Sequence, residues 1–269
     1  MNINILKLII SNLYSYRYFI YTNVKREIQL SHSNTIIGFS WQLINPLIMI
    51  LIYTIIFSTA LKGYLNKNNS IYDYSLFVCI GMIHWNFFTD LTNKLVNIFI
   101  ASDNIIKKIN FPILALPIIK IIVSSFNYMI FIFILIVVFS CYGNFSFNKI
   151  LFLIPVVLIQ IFFSLGLGLL LGVVNVFLRD TSHVFNIVQQ FWFWITPIVY
   201  PISVLPENIK FLVIFNPLSI IFQSYSDILI FSKFPNITPL IIIFLISILL
   251  NFIAIRLIIL KRGEIIDEL

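Results

Sequence analysis

The 269-residue chain is 60% hydrophobic and only 10% charged, with a formal net charge of +7 and a mean hydropathy of +1.03. A water-soluble domain carries about 25% charged residues, so a soluble globule is excluded: there is too little polar surface to cover so much apolar mass. The basic excess sits between apolar runs, where it sets orientation against anionic headgroups, and no nucleic-acid partner is expected.

Runs free of Asp, Glu, Lys and Arg cover 28–61, 121–148, 150–178, 181–206 and 234–255, each long enough for a spanning helix of roughly 20 residues. Stretches such as 130–139 and 240–250 are apolar on every face, unlike the alternating strands of a membrane barrel. The expected fold class is an all-α membrane protein with six transmembrane helices, an N-terminal amphipathic interfacial helix and short re-entrant helices before the last span. Three regions follow: 1–30, a cytoplasmic interfacial segment; 31–260, the transmembrane domain; and 261–269, a cytoplasmic tail.

In the first region Ile3, Leu6, Ile9, Ile10 and Leu13 recur at helical spacing, and tyrosines mix with Arg17, Lys25, Arg26 and Glu27. That is the profile of a helix lying in the interface, its tyrosines at headgroup level. No short apolar region with a small-residue cleavage site follows Met1, so no cleaved signal peptide is expected. Span one runs from about Ile36 to Ala60, with Gly38 and Trp41 at its start and Pro46 inside. Span two covers Tyr74 to Asn93, with Trp85 and Asp90 toward its far end.

The connector that follows carries Lys94, Asp103, Lys107 and Lys108, then Pro112 and Pro117. Ile98, Phe99, Ile105 and Ile106 give it an apolar side, which predicts a short interfacial helix. Span three starts near Pro117 and reaches Phe139, placing Lys120 within a turn of the interface, where its stem can snorkel. Span four, Ile150 to Val176, contains Gly168 and Gly172, a small-xxx-small pair that permits close helix contact. Arg179 and Asp180 end it, and span five runs from His183 to Tyr200. Pro201, Pro206 and Pro217 break residues 201–236 into two short helices that dip part-way into the membrane. Span six covers Ile237 to Leu257.

Charge placement orients this arrangement. With both termini cytoplasmic, eleven Lys and Arg residues fall on the inner side and five on the outer, with Lys120 near the inner face, as the positive-inside rule requires. A seventh crossing through 211–226 would put Lys261 and Arg262 outside, against that rule.

Catalytic constellations are missing from the pattern. His32, His84 and His183 show no metal-ligand spacing, and no GxxxxGK[ST] phosphate loop occurs. Cys79 and Cys141 are isolated in or beside apolar runs and suggest no disulfide framework. Only Asp90 is a mild candidate for an ionisable residue that binds a coupling ion near mid-membrane, and it lies toward the inner end of span two, so an ion-coupled carrier is disfavoured. What remains is a membrane passage or scaffold whose energy source lies elsewhere.

Three stretches resemble the permease subunit of ABC-2 type polysaccharide and polyol-phosphate exporters, the group that handles O-antigen, capsule and teichoic acid. The first is Lys25 to Phe57, where Gly38, Trp41 and Pro46 fit G-x-x-W-x-x-x-x-P. The second is Ala101 to Ile118, where Asn104, Ile106, Lys108, Phe111, Pro112 and Pro117 fit N-x-I-x-K-x-x-F-P-x-x-x-x-P. The third is Asn175 to Pro201, with the pair Arg179 and Asp180 followed by Thr196, Pro197 and Tyr200 as T-P-x-x-Y. Gly263 and Glu264 match the family's C-terminal G-E, while His32 to Asn34 stand where a more basic run is usual.

The resemblance implies a homodimer of six-span subunits in the bacterial inner membrane, joined to two separate ATP-binding cassette subunits that hold ATP and Mg; this chain itself holds no cofactor. It implies that Ser102, Asp103, Asn104, Lys107, Lys108 and Asn110 press on the ATPase as a coupling helix. Lys25, Arg26 and Glu27 would lie at the inner mouth of the channel. Arg179 and Asp180 would fix the inner turn or act in gating. Trp41, Trp85, Trp192, Trp194 and Tyr200 are either interface-belt residues or channel-lining platforms for sugar rings. The cargo implied is a lipid-linked polysaccharide, O-antigen first among the possibilities. The alternatives are an ABC-2 permease for a small hydrophobic substrate and a membrane-embedded transferase acting on lipid-linked sugars, for which His84 or Asp90 would be the reactive group.

Overall fold

The computed structural model describes residues 16–33, 71–108, 113–141 and 147–269, with residues 44, 47–49, 51–52 and 55–56 between them. Most of the expected span one, with Trp41, lies outside the described residues, as does Asn110. The described chain is helical throughout. It comprises α1 (Arg17–Ser33), α2 (Ile71–Val96), a 3-10 turn at Ile100–Ser102, α3 (Asp103–Lys108), α4 (Ala115–Cys141), α5 (Phe147–Phe177) and α6 (Thr181–Ile195). A second 3-10 turn at Ile202–Val204 precedes α7 (Glu207–Ile214), α8 (Pro217–Leu229), α9 (Ile237–Leu260) and α10 (Arg262–Glu268).

Among the described residues three helical stretches are long and apolar enough to cross a membrane: Ala115–Val137, Leu151–Phe177 and Ile237–Leu260. The bent pair α7 and α8, which meet at 91°, makes a fourth if it counts as one span. Large apolar side chains face outward on these helices, including Phe133, Leu151, Leu158, Leu245 and Leu249. That is the pattern of a chain whose solvent is hydrocarbon.

Helix α5 is the central post. It packs against α9, α2, α8, α6 and α10, and glycine sets two of those contacts. A Cβ on Gly166 would meet Leu250 Cβ of α9 at 2.7 Å, and one on Gly168 would meet Leu95 Cβ of α2 at 2.6 Å. At Gly172 the obstruction is the Leu95 carbonyl oxygen, also at 2.6 Å. The Gly168–Gly172 pair therefore does bring two backbones together, as its spacing predicts. Helix α9 buries Leu240, Ile243, Ser247, Asn251, Ala254 and Ile258, a single stripe at three- and four-residue spacing, against this post.

Helix α2 has ample length at 26 residues, about 39 Å at 1.5 Å per residue. It is more polar than the three apolar spans, and its apolar residues point into the bundle: Tyr74, Val78, Phe88, Leu91 and Leu95 are fully buried. Helix α6 ends at Ile195 rather than reaching Tyr200. Pro197 offers no N–H and forces the preceding Thr196 into an extended conformation (φ −91°, ψ 133°). Its 15 residues reach about 22 Å, short of the roughly 30 Å hydrocarbon core. The stretch after Pro201 forms two short helices, as its prolines predict, with the chain turning at Phe215 and Asn216.

Candidate functional site

Polar side chains gather at one end of the bundle and along one groove that rises from it. At that end α1 lies across the start of α4. Phe19, Ile20, Asn23, Val24, Glu27 and Ile28 turn inward, while Arg17, Tyr18, Tyr21, Lys25 and Arg26 are exposed. The Lys120 ammonium is ion-paired with the Glu27 carboxylate. Lys120 thus finds a carboxylate 93 residues earlier in the chain, which neutralises it.

The connector after α2 forms two short turns. Ile98, Phe99 and Ile106 are buried, and α3 leans on α10, whose Ile265 is completely buried. Of the expected coupling residues, Asn104 and Lys107 are exposed and Asp103 is half-buried at the first turn of α3, where its carboxylate suits the helix dipole. Ser102 is buried. The side chain of Lys108 lies outside the described residues.

Arg179 and Asp180 are both exposed in the turn between α5 and α6. Asp180 occupies the N-cap position of α6 but makes no side-chain cap bond. The turn is fixed instead by Asn175, a fully buried residue. Its Nδ2 donates to the Val96 carbonyl at 3.0 Å, and its Oδ1 accepts from the Ser182 N–H at 3.2 Å. Gln189 adds a bond from Nε2 to Thr92 Oγ1 at 2.9 Å. These amides tie the turn to the end of α2, directly before the connector.

Above this end, α2 and α4 enclose a groove of about 700 Å³. Asn86, Asp90 and Asn93 of α2 and Asn97 just past its end line it at four-, three- and four-residue steps; Lys120, Ser124, Asn127 and Phe131 line it from α4 at the same steps. Each set lies on one helical face. Lys94 bridges the walls, donating to Asp90 Oδ2 at 2.7 Å and to Ser124 Oγ at 3.2 Å. A smaller cavity of about 200 Å³ below it, lined by Asn23, Arg26, Ser102 and Lys120, joins α1 to the connector. Of the groove only the charged residues Asp90, Lys94 and Lys120 stood out in the sequence, because charge was the criterion. The signal that would have found the rest is uncharged polar residues repeating at helical period through an otherwise apolar span.

Deeper in the bundle, His84 is completely buried. Its Nδ1–H donates to the Ile80 carbonyl at 2.6 Å, and its ring lies 3.4 Å from that of Tyr225. Gln160 Nε2 donates to the His84 carbonyl at 2.8 Å, and Tyr225 Oη donates to Gln160 Oε1 at 2.7 Å. His84 is thus a packing and hydrogen-bonding residue joining α2, α5 and α8. Among the described residues no group of three or more His, Cys, Asp or Glu could hold a metal ion.

The aromatic expectations divide. Trp85 is buried on the inward face of α2, against Phe88, Phe193 and Phe222. Trp192 is half-buried, and its Nε1–H donates to Asn216 Oδ1 at 2.9 Å. Asn216 Nδ2 in turn donates to Thr196 Oγ1 at 2.9 Å, while Oδ1 also accepts from the Leu218 N–H at 3.1 Å as the N-cap of α8. Trp194 is exposed, and Tyr200 Oη donates to its carbonyl at 2.5 Å.

A helical bundle with three or four apolar candidate spans among the described residues and outward-facing apolar side chains is a multi-pass membrane protein. The chain belongs to the ABC-2 type transporter family, whose profile matches residues 18–230. It is similar to the O-antigen export system permease protein RfbA of Myxococcus xanthus, 25% identical over 248 residues that cover 91% of this chain and 93% of that protein. It is also similar to two proteins of the same name from Klebsiella pneumoniae, 27% and 26% identical over 205 residues, with 76% of each chain covered.

Proposed function

We propose that this chain is the membrane subunit of an ATP-driven exporter that moves a lipid-linked polysaccharide, O-antigen first among the candidates, across the bacterial inner membrane. Two copies of the chain, each crossing six times with both termini in the cytoplasm, form the passage. Two separate ATPase subunits hydrolyse ATP with Mg. The observation that carries this reading is the chain's near full-length similarity to O-antigen export permeases, together with the absence of any phosphate loop in its own sequence.

Helix α3 is the surface that meets the ATPase, with Asn104 and Lys107 as its exposed contacts and α10 as its brace. Motion imposed on α3 reaches the groove through α2, which ends four residues before the 3-10 turn begins, and reaches α6 through Asn175. Helix α6 exposes an apolar face of Val184, Ile187, Val188, Phe191 and Trp194, which suits packing against the second copy as well as lipid. Arg179 and Asp180 form the tight turn at the inner gate.

The test is reconstitution with the cognate ATPase in liposomes loaded with lipid-linked glycan. Export is expected only with both subunits and ATP, and Lys107→Glu is expected to uncouple hydrolysis from export while the complex still assembles. Polymer movement by the purified chain without an ATPase would sink the proposal. Loss of export for a small hydrophobic probe but not for glycan would rule out the small-molecule alternative, and the reverse result would favour it.

A further inference from the structure

We infer that the junction of α2, α4, α5 and α8 is a binding site for one ordered water molecule, held between His84, Tyr128 and Tyr225. The site stands apart from the export reading and concerns what joins α4 to the rest of the bundle. All three residues are buried. Two of their side-chain atoms, Nε2 of His84 and Oη of Tyr128, have no hydrogen-bond partner among the described residues, a costly condition for buried polar groups. The two rings meet edge to face, with 5.6 Å between centroids. The Tyr128 hydroxyl also lies close enough to that of Tyr225 for the two to interact electrostatically.

The hydrogen-bonding sense of each atom is fixed by its neighbours. His84 Nδ1 is 2.6 Å from the Ile80 carbonyl oxygen, which can only accept. Nδ1 therefore carries the proton, and Nε2 of the neutral ring is an acceptor. The Tyr225 hydroxyl gives its proton to Gln160 Oε1 at 2.7 Å, and the bond from Gln160 Nε2 to the His84 carbonyl at 2.8 Å holds the amide in that sense. What remains to Tyr225 Oη is lone pairs, whereas Tyr128 Oη still has a proton to donate. The junction thus offers two acceptors and one donor to a single small ligand.

Water has the matching set. It donates one proton to His84 Nε2 and the other to Tyr225 Oη, and its oxygen accepts from Tyr128. Three bonds are the usual number for a buried water. An alcohol or sugar hydroxyl donates only once and leaves one acceptor unmet. An ammonium accepts nothing and leaves the Tyr128 proton unmet, and a halide has no proton for either acceptor. The groove supplies the water: Tyr128, stacked on Phe87 at 4.3 Å, lines it while its hydroxyl is buried at the junction. Once bound, the water makes Tyr128 of α4 one hydrogen-bonded unit with α2, α5 and α8.

The experiment uses the full chain, purified in lipid with any subunits that accompany it. A density map that resolves other buried waters is expected to show a peak at hydrogen-bond distance from all three atoms. Melting is measured in parallel for Tyr128→Phe, His84→Leu and the double variant. Tyr128→Phe is expected to lower Tm by about 2–4 °C in the wild-type chain and by clearly less in the His84→Leu background, where the shared water is already lost. A map without the peak overturns the site, whether the atoms stay apart or Tyr128 bonds His84 or Tyr225 directly. An equal loss of Tm in both backgrounds overturns it as well. If His84→Leu does not fold, the map and the single variant decide, and a Tyr128→Phe chain as stable as wild type overturns the site.

Discussion

Gly172→Ala is the sharpest test of the packing. The added methyl would stand 2.6 Å from the Leu95 carbonyl oxygen, whereas ordinary contact begins at 3.4 Å. Helix α2 would have to retreat by about 0.8 Å at that point, and a backbone carbonyl, unlike a side-chain tip, cannot rotate out of the way. Overpacking of this kind costs about 1–3 kcal/mol, and the upper half of that range applies because backbone is the obstacle. Alanine returns about 1 kcal/mol through its better helix propensity. The net loss is about 1–2 kcal/mol, or a fall in Tm of roughly 2–8 °C for a chain of this size. The assay is intrinsic-fluorescence melting of the detergent-solubilised protein. Gly263→Ala is the control: no atom lies within 4 Å of its added Cβ, so its Tm should hold or rise slightly. A Gly172→Ala variant that melts at or above the wild-type temperature would refute the close approach of α5 to α2.

Three further outcomes are expected. Asn216→Ala removes the cap of α8 together with the bonds to Trp192 and Thr196, a loss of about 2–3 kcal/mol that melting should record; a variant as stable as wild type would mean the corner is held by packing alone. Tyr225→Phe strips the donor from the buried Gln160 Oε1 and should destabilise by about 1–2 kcal/mol, while Gln160→Met with Tyr225→Phe, which removes both partners, should recover part of that loss. Glu27→Gln leaves Lys120 without its carboxylate; hydrogen exchange across residues 17–33 should quicken several-fold, and unchanged exchange would show that apolar contact alone seats α1.

Hydrophobic run length located α4, α5 and α9 to within a few residues, because a lipid-spanning helix has no other way to satisfy its backbone. The prolines of 201–236 likewise announced two short helices, and the spacing of Gly168 and Gly172 announced a close contact. What stayed hidden was partnership across long sequence distance. The ion pair of Lys120 was not legible because Glu27 lies 93 residues away. Nor was the burial of Trp85, whose neighbours Phe193 and Phe222 come from α6 and α8. The end of α6 was overrun because the uncharged run continues to Pro206, although Pro197 halts the helix nine residues earlier. The groove was missed for a different reason. Asparagines carry no charge, so a search for buried ions passes over them, even when four-, three- and four-residue steps place three of them along one face of α2 and just past its end.

The glycine contacts of α5 bear on how that groove can change width. At Gly166 and Gly168 the nearest atoms are the Cβ of Leu250 and of Leu95, and at Gly172 the Leu95 carbonyl oxygen, so little side-chain bulk separates α5 from α9 and α2. The other wall of the groove, α4, meets α2 through the tip of Lys94 and through the stacked rings of Phe87 and Tyr128, 4.3 Å between centroids, so widening the groove means parting two rings as well as releasing one lysine.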